Sequence, residues 1–380
     1  MLFLQQQCIR TYLFSKSKCV PFFAALLVLF HHGEVIRTKN DFITYEHFSF
    51  FQNGTTAVKF FFVLSGFLIS YLLLKEQDQK KTISIKNFYL KRVIRIWPLY
   101  FLLVAIGIVI FPFLFQVLHI NYSFPYTIGQ VWLLFVLFLP SIVTFTYGSH
   151  LLEPLWSIGV EEWFYIIWAP LFKWIDNKFA LIIGIFLLKI LLLILCFNNI
   201  ITDVLVVHLI KTFAFESMAI GALGAYFLYH TNINLQAWYK KYAAVNYFLL
   251  AVLFSFLFFR NTCIAFIGSN IFDHWIFSYI ILNALFLNLI LFIGIRLNSK
   301  SFFNNTFLDY GGKISYGIYM YHMIVIFAVI HLGKKHLLTL DPYLSFLIFY
   351  SLVIAGTFIT AHLSKKYFED FFMKFRSKLN

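Results

Sequence analysis

Three pairs of polar residues sit inside long apolar runs of this sequence, and each pair has a recognisable chemistry. His31 and His32 close the apolar run that begins at Phe22. Imidazole is the side chain best suited to accept a proton near neutral pH, so His31 is a candidate general base. Arg92 and Arg95 lie within Tyr89-Leu90-Lys91-Arg92-Val93-Ile94-Arg95-Ile96-Trp97-Pro98. Their i, i+3 spacing puts both on one helix face, and two adjacent guanidinium groups suit phosphates or a carboxylate. Glu161 and Tyr165 follow Trp156 and Ser157 at i, i+4 and also share a face. A carboxylate there can orient a histidine, fix its tautomer and stabilise the imidazolium. A fourth cluster, Phe61–Leu68, places Ser65 and Gly66 inside an apolar helix, where small residues let backbones approach closely. No base stands beside Ser65 in sequence, so it is not read as a nucleophile. Each cluster also has a plainer reading as orienting charge, interfacial histidine or acidic helix start.

The elements that carry these residues follow from composition. The chain has 380 residues, of which 61% are hydrophobic, 21% aromatic and only 12% charged. A soluble domain is nearer half apolar and a quarter charged, and disordered chains are poor in aromatics. Both classes are therefore set aside. Eleven apolar segments are predicted: Val20–Ile36, Phe60–Leu74, Ile96–Phe115, Ile128–Val143, Ile158–Trp174, Phe179–Phe197, Phe213–Tyr229, Ala243–Phe259, Trp275–Ile295, Tyr316–His331 and Tyr343–Leu363. The first is read as a retained helix, because His31-His32-Gly33-Glu34 follows it rather than a small-residue cleavage site. The four cysteines, Cys8, Cys19, Cys196 and Cys263, form no C-x-x-C pair, so neither a metal site nor a disulfide framework is expected.

The net charge of +14 is read through topology. With a cytoplasmic N-terminus and Ile128–Val143 not crossing, 22 of the 30 basic residues fall inside. Seven fall outside: Arg37, Lys39, Lys59, Lys211, Arg260, Lys334 and Lys335. If Ile128–Val143 crossed, the split would be 14 against 15. The positive-inside rule thus predicts an all-α polytopic membrane bundle of about ten spans plus one re-entrant or interfacial helix. The basic excess orients helices and implies no nucleic-acid partner. Residues 1–380 read as one integral-membrane domain. Residues 1–19 form a cytoplasmic N-terminal segment and 364–380 a cytoplasmic tail, with no appended soluble domain.

The clusters, in this order, resemble acyltransferase family 3 of the membrane O-acyltransferases over nearly the whole chain. Phe61–Leu68, Arg92–Tyr100 and Trp156–Tyr165 carry the likeness, with a weaker match at Ile314–His322. The resemblance implies about ten membrane helices and transfer of an acyl group, usually acetyl from acetyl-CoA, to a carbohydrate hydroxyl across a bacterial envelope. It implies His31 as catalytic base and Arg92 and Arg95 near the coenzyme's phosphates. Trp156, Ser157, Glu161 and Tyr165 match the family's W-S-x-x-x-E-x-x-x-Y motif, and Ser315, Tyr316, Tyr319 and His322 match a late helix. One departure stands out. The family has an arginine eleven residues before the histidine, where this chain has Val20, or Pro21 after a one-residue deletion; Lys18 is the nearest cation. A different N-terminus, substitution by Lys18 or loss of activity each accounts for it. Trp163 stands where glutamine is common.

The expected enzyme is a multi-pass protein of the bacterial inner membrane. Acetyl-CoA is its donor, a cell-envelope carbohydrate or glycolipid its acceptor and membrane lipid its surroundings, with no metal. Glu161 is expected to orient His31 or carry its proton onward, and Tyr165, Ser157 or Tyr319 to donate to the oxyanion. Two other readings stay open. A polytopic transporter or flippase of a glycan or lipid precursor accounts for the spans and buried polar groups. A catalytically degenerate family member accounts for Val20.

Overall fold

The computed structural model describes residues 19–119, 123–231, 235–267, 275–296 and 305–376. The expected N-terminal segment up to residue 18, Lys18 included, and residues 377–380 lie outside the described residues. Every regular element described is helical. In chain order the α-helices are α1 (Cys19–Thr38), α2 (Gly54–Lys80), α3 (Ile85–Ala105), α4 (Phe111–Val117), α5 (Ile128–Val136), α6 (Pro140–Tyr147), α7 (Leu155–Trp174) and α8 (Lys178–Phe197). Then follow α9 (Val204–Thr212), α10 (Phe215–His230), α11 (Leu235–Lys241), α12 (Ala243–Ile267), α13 (Leu282–Arg296), α14 (Thr306–Leu337), α15 (Pro342–Ser364) and α16 (Asp370–Arg376).

Among the described residues, nine helical stretches are long and apolar enough to cross a membrane. The segment Ile128–Val143 is not one of them. Pro140 starts a new helix and splits the segment into α5 and α6, of 9 and 8 residues, both too short to span. The expected crossing at Ile158–Trp174 lies in α7. Its 20 residues give about 30 Å of helix, but Glu161, Glu162 and Lys173 interrupt its apolar character. Helix starts follow the sequence. Asn177, Asp203, Asn305 and Asp341 cap α8, α9, α14 and α15 with side-chain oxygens that accept from backbone N–H groups.

The centre of the bundle is α2, 27 residues long and so about 40 Å. It packs on α10, α1, α13 and α7. Gly66 of α2 meets Met218, and Gly221 of α10 meets Val63; a Cβ built on either glycine falls 2.1 or 2.0 Å from the opposing carbonyl oxygen. The two backbones touch here, as small residues in membrane helices allow. Replacing Gly66 with alanine forces them apart. We expect it to destabilise the bundle by about 1–3 kcal/mol, the usual range for overpacking, seen as a lower unfolding midpoint of the purified protein. An unchanged midpoint would refute the contact. Helix α14, 32 residues long, packs on α1, α15 and α3. Together α2, α3, α7 and α14 enclose a space that Arg92, Arg95, Glu161 and Tyr165 line.

Candidate active site

The turn before α7 is built around a buried histidine. His150 Nδ1 accepts from Leu152 N at 3.2 Å, and its Nε2 meets Thr144 Oγ1 at 3.2 Å. Burial lowers its pKa to about 4, so the ring is neutral and serves as both acceptor and donor. The turn delivers Pro154, whose carbonyl accepts from Ser157 Oγ (3.2 Å) and Tyr319 OH (2.9 Å). The two hydroxyls are themselves 2.7 Å apart. This knot fastens the start of α7 to the middle of α14. It joins two motifs that are 162 residues apart in sequence.

One and two turns further along α7 lies a second chain of hydrogen bonds. Tyr165 OH donates to Glu161 Oε2 at 2.7 Å, and Ser65 Oγ lies 2.9 Å from the same phenol. The phenol has one proton and it is committed to Glu161, so Ser65 donates to the phenol oxygen. The guanidinium of Arg92 lies 5.6 Å from the ring centre of Tyr165 and 5.6 Å from that of Phe88, within cation–π range.

These groups surround one cavity of about 440 Å³. Ser65, Arg92, Arg95, Ser157, Glu161, Tyr165, Ser315, Tyr316 and Tyr319 all line it. Apolar walls come from Phe61, Phe62, Leu64, Leu68, Ile69, Ile96 and Ile158. Ser315 Oγ donates to Gly312 O at 2.9 Å, and Tyr316 OH donates to Ile96 O at 3.1 Å. Gly66 faces α10 instead, in the role read for it from sequence. Trp156 packs edge-to-face on Phe62 at 5.9 Å. Replacing Tyr165 with phenylalanine leaves both Glu161 and Ser65 without their partner. We expect kcat to fall by roughly tenfold or more, from the loss of about 1.5–3 kcal/mol of charge-assisted hydrogen bonding, with the protein still folded. Full activity in Y165F would remove this phenol from the machinery.

His31 stands beside the cavity rather than in its wall. Its Nδ1 is 2.9 Å from the carbonyl of Phe51. A carbonyl can only accept, so Nδ1 carries a proton, and in the neutral imidazole Nε2 is the nitrogen with the lone pair. The ring rests on Gly54, where a Cβ would lie 2.2 Å from His31 Cδ2. Ring contacts lead from His31 to His32 (5.3 Å between centres), from His32 to His322 (5.3 Å) and from His322 to Tyr319 (5.8 Å), which lines the cavity. His322 Nδ1 donates to Tyr319 O at 2.6 Å, and its buried Nε2 has no hydrogen-bond partner among the described residues. The expected pairing of Glu161 with His31 is not formed among the described residues: Glu161 holds Tyr165, and His31 holds Phe51.

Sequence reasoning missed several participants. His32 links His31 to His322, a role that a histidine doublet does not announce. Glu162 is buried and accepts from Trp97 Nε1 at 2.9 Å, fastening α7 to α3. One turn beyond His31, Glu34 and Arg37 form a fully buried pair at 3.3 Å. Tyr350 OH donates to Glu34 at 2.9 Å, and Arg37 donates to Ile43 O at 2.7 Å. From the sequence Arg37 reads only as an outside charge. Lys313 adds a third cation to the cavity wall, which Pro21 of α1 also lines. No group of three or more potential metal ligands occurs among the described residues.

A family model described as an acyltransferase domain matches residues 21–362. The chain belongs to this acyltransferase family. The chain is 28% identical over 159 residues to the peptidoglycan O-acetyltransferase OatA of Listeria monocytogenes, covering 38% of this chain and 25% of that protein. It is 31% identical over 156 residues to the putative peptidoglycan O-acetyltransferase YrhL of Bacillus subtilis, covering 39% and 22%. A putative acetyltransferase, ORF330 of Acidianus two-tailed virus, is 25% identical over 308 residues and 80% of each chain. The aligned part thus spans about a quarter of the length of the first two relatives. No solved structure matches.

Proposed function

We propose that this acyltransferase moves an acetyl group from acetyl-CoA to a hydroxyl of a cell-envelope or exported carbohydrate. The observation that carries the reading is the single cavity in which Arg92, Arg95, Glu161, Tyr165, Ser157 and Tyr319 converge. The family supports acyl transfer, and two relatives bear the name of peptidoglycan O-acetyltransferases. In this reading the chain is one integral-membrane unit of the bacterial inner membrane with both termini cytoplasmic, as the distribution of basic residues favours.

Arg92 and Arg95 hold the phosphates of the coenzyme by charge-assisted hydrogen bonds, and Lys313 adds its charge to the same wall. The pantetheine arm runs along the apolar faces of α2 and α7. The acceptor hydroxyl gives its proton to Nε2 of His31 as its oxygen attacks the thioester carbonyl. A C–O bond forms, the C–S bond breaks, and the proton passes from the imidazolium to the departing thiolate. Ser157 and Tyr319, whose hydroxyls donate to Pro154 O in this structure, turn them to the oxyanion in the loaded complex, where catalytic hydrogen bonds often first form. Glu161 fixes Tyr165, and through it the cation–π seat of Arg92. The test is a strain lacking the gene, compared with its parent by mass spectrometry of surface glycans. Loss of one acetyl per acceptor unit supports the reading, loss of a succinyl would reassign the donor, and unchanged glycans would refute the reading.

A further inference from the structure

A second cavity, of about 420 Å³, lies end to end with the first along α2 and α7. On α2, Thr55 and Lys59 line the second cavity, Phe62 lines both, and Ser65 and Ile69 line the first. On α7, Trp156 lines the second and Ser157 the first. Phe62, which packs edge-to-face on Trp156, is therefore the side chain that the two walls share.

The second cavity is electropositive for reasons visible in its wall. Its carboxylate, Glu216, is already paired with Lys189 at 3.7 Å, and both are buried. Lys59 and Lys211 also line it, and neither forms an ion pair among the described residues. Lys59 Nζ donates to Ser278 O at 3.0 Å and to Ser278 Oγ, and sits 4.4 Å from the ring centre of Tyr279. An ammonium has three donors, so one remains for a ligand. Lys211 is exposed and 4.9 Å from the ring centre of Phe197. The nearby His208 bonds through Nε2 to Ser141 O at 3.2 Å. A half-enclosed space with two such ammonium groups favours an oxyanion, and a low local dielectric strengthens the attraction.

The geometry points to an acceptor-side subsite here: the cavity takes a carbohydrate or glycolipid acceptor by a negatively charged group, a carboxylate or a phosphate, held between Lys59 and Lys211. The acceptor identity rests on the acyl-transfer reading above. An acceptor so held lies across Phe62 from the donor cavity. Thr55, which lines the same cavity, directly follows Gly54, on which the ring of His31 rests.

The test uses the full chain in lipid nanodiscs and reads its unfolding midpoint with three soluble probes. These are p-nitrophenyl β-D-glucuronide, p-nitrophenyl phosphate and the neutral p-nitrophenyl β-D-glucoside. A saturable rise is expected with at least one anionic probe and not with the glucoside. The glucuronide alone would mark a sugar carboxylate as the group recognised, and the phosphate alone a phosphorylated acceptor. Lys59→Met with Lys211→Met removes the effect. Lys211→Gln alone, at an exposed position that tolerates change, weakens binding by about tenfold, as loss of one charge-assisted contact does. The shift given by coenzyme A persists in both variants and is lost in R92A/R95A. Equal response to all three probes, response to none, or an anion response that survives the lysine substitutions overturns the subsite. Anion binding at Lys59 and Lys211 without any coenzyme A response would instead sink the donor reading and leave an anion site standing.

Discussion

Replacing His31 with alanine lowers the rate of acyl transfer by about 10²–10⁴-fold, the usual contribution of a positioned general base, while coenzyme A still binds. The expectation rests on one hydrogen bond. Phe51 O takes the Nδ1 proton at 2.9 Å and leaves Nε2 basic. It also rests on Gly54, the first residue of α2, which leaves room for the ring. Gly54→Ala puts a methyl group 2.2 Å from His31 Cδ2, so it should reproduce much of the loss by moving the ring rather than removing it. Transfer rates of the two variants, measured with donor saturating, check this. Undiminished transfer in H31A would take the base role from His31.

The second large effect belongs to Arg92 and Arg95. The double alanine variant is expected to raise KM for acyl-CoA by about two orders of magnitude, since hydrogen bonds to charged groups contribute about 1.5–3 kcal/mol each. The single variants should differ. Arg92 is half-buried, with its guanidinium near Tyr165 and Phe88, whereas Arg95 is exposed. R92A should therefore also lower kcat through Tyr165, and R95A should act on KM alone. Steady-state kinetics over a range of acyl-CoA concentrations separate the two. Identical effects on kcat would argue against the link from Arg92 to Tyr165.

The sequence was most legible where a local rule sufficed. Apolar run length located the helices, and spacing placed Arg92 with Arg95 and Glu161 with Tyr165 on shared faces. Pro140 within Ile128–Val143 agrees with the non-crossing role that charge counting assigned to that segment. Ser157 and Tyr319 were both named, but their contact across 162 residues was not, because no local pattern encodes which helices become neighbours. The same reason explains the partner exchange at Glu161. A shared face with Tyr165 was readable, and that pairing formed. A bond from Glu161 to His31 required knowledge of how α1 sits against α7. Lys59, Lys211 and Lys313 were hidden for another reason: in a chain where most basic residues orient helices, a cation that lines a cavity has the same sequence signature as one that does not.

Acyl transfer through His31 is tested most directly with labelled acetyl-CoA and membranes containing the wild-type chain or H31A. The measured quantity is label recovered as alkali-labile O-ester in the glycan fraction. The structure predicts His31-dependent transfer in wild-type membranes, with free coenzyme A released in step and almost no transfer in H31A. Label that never leaves coenzyme A, or transfer of equal extent in both membranes, would contradict it.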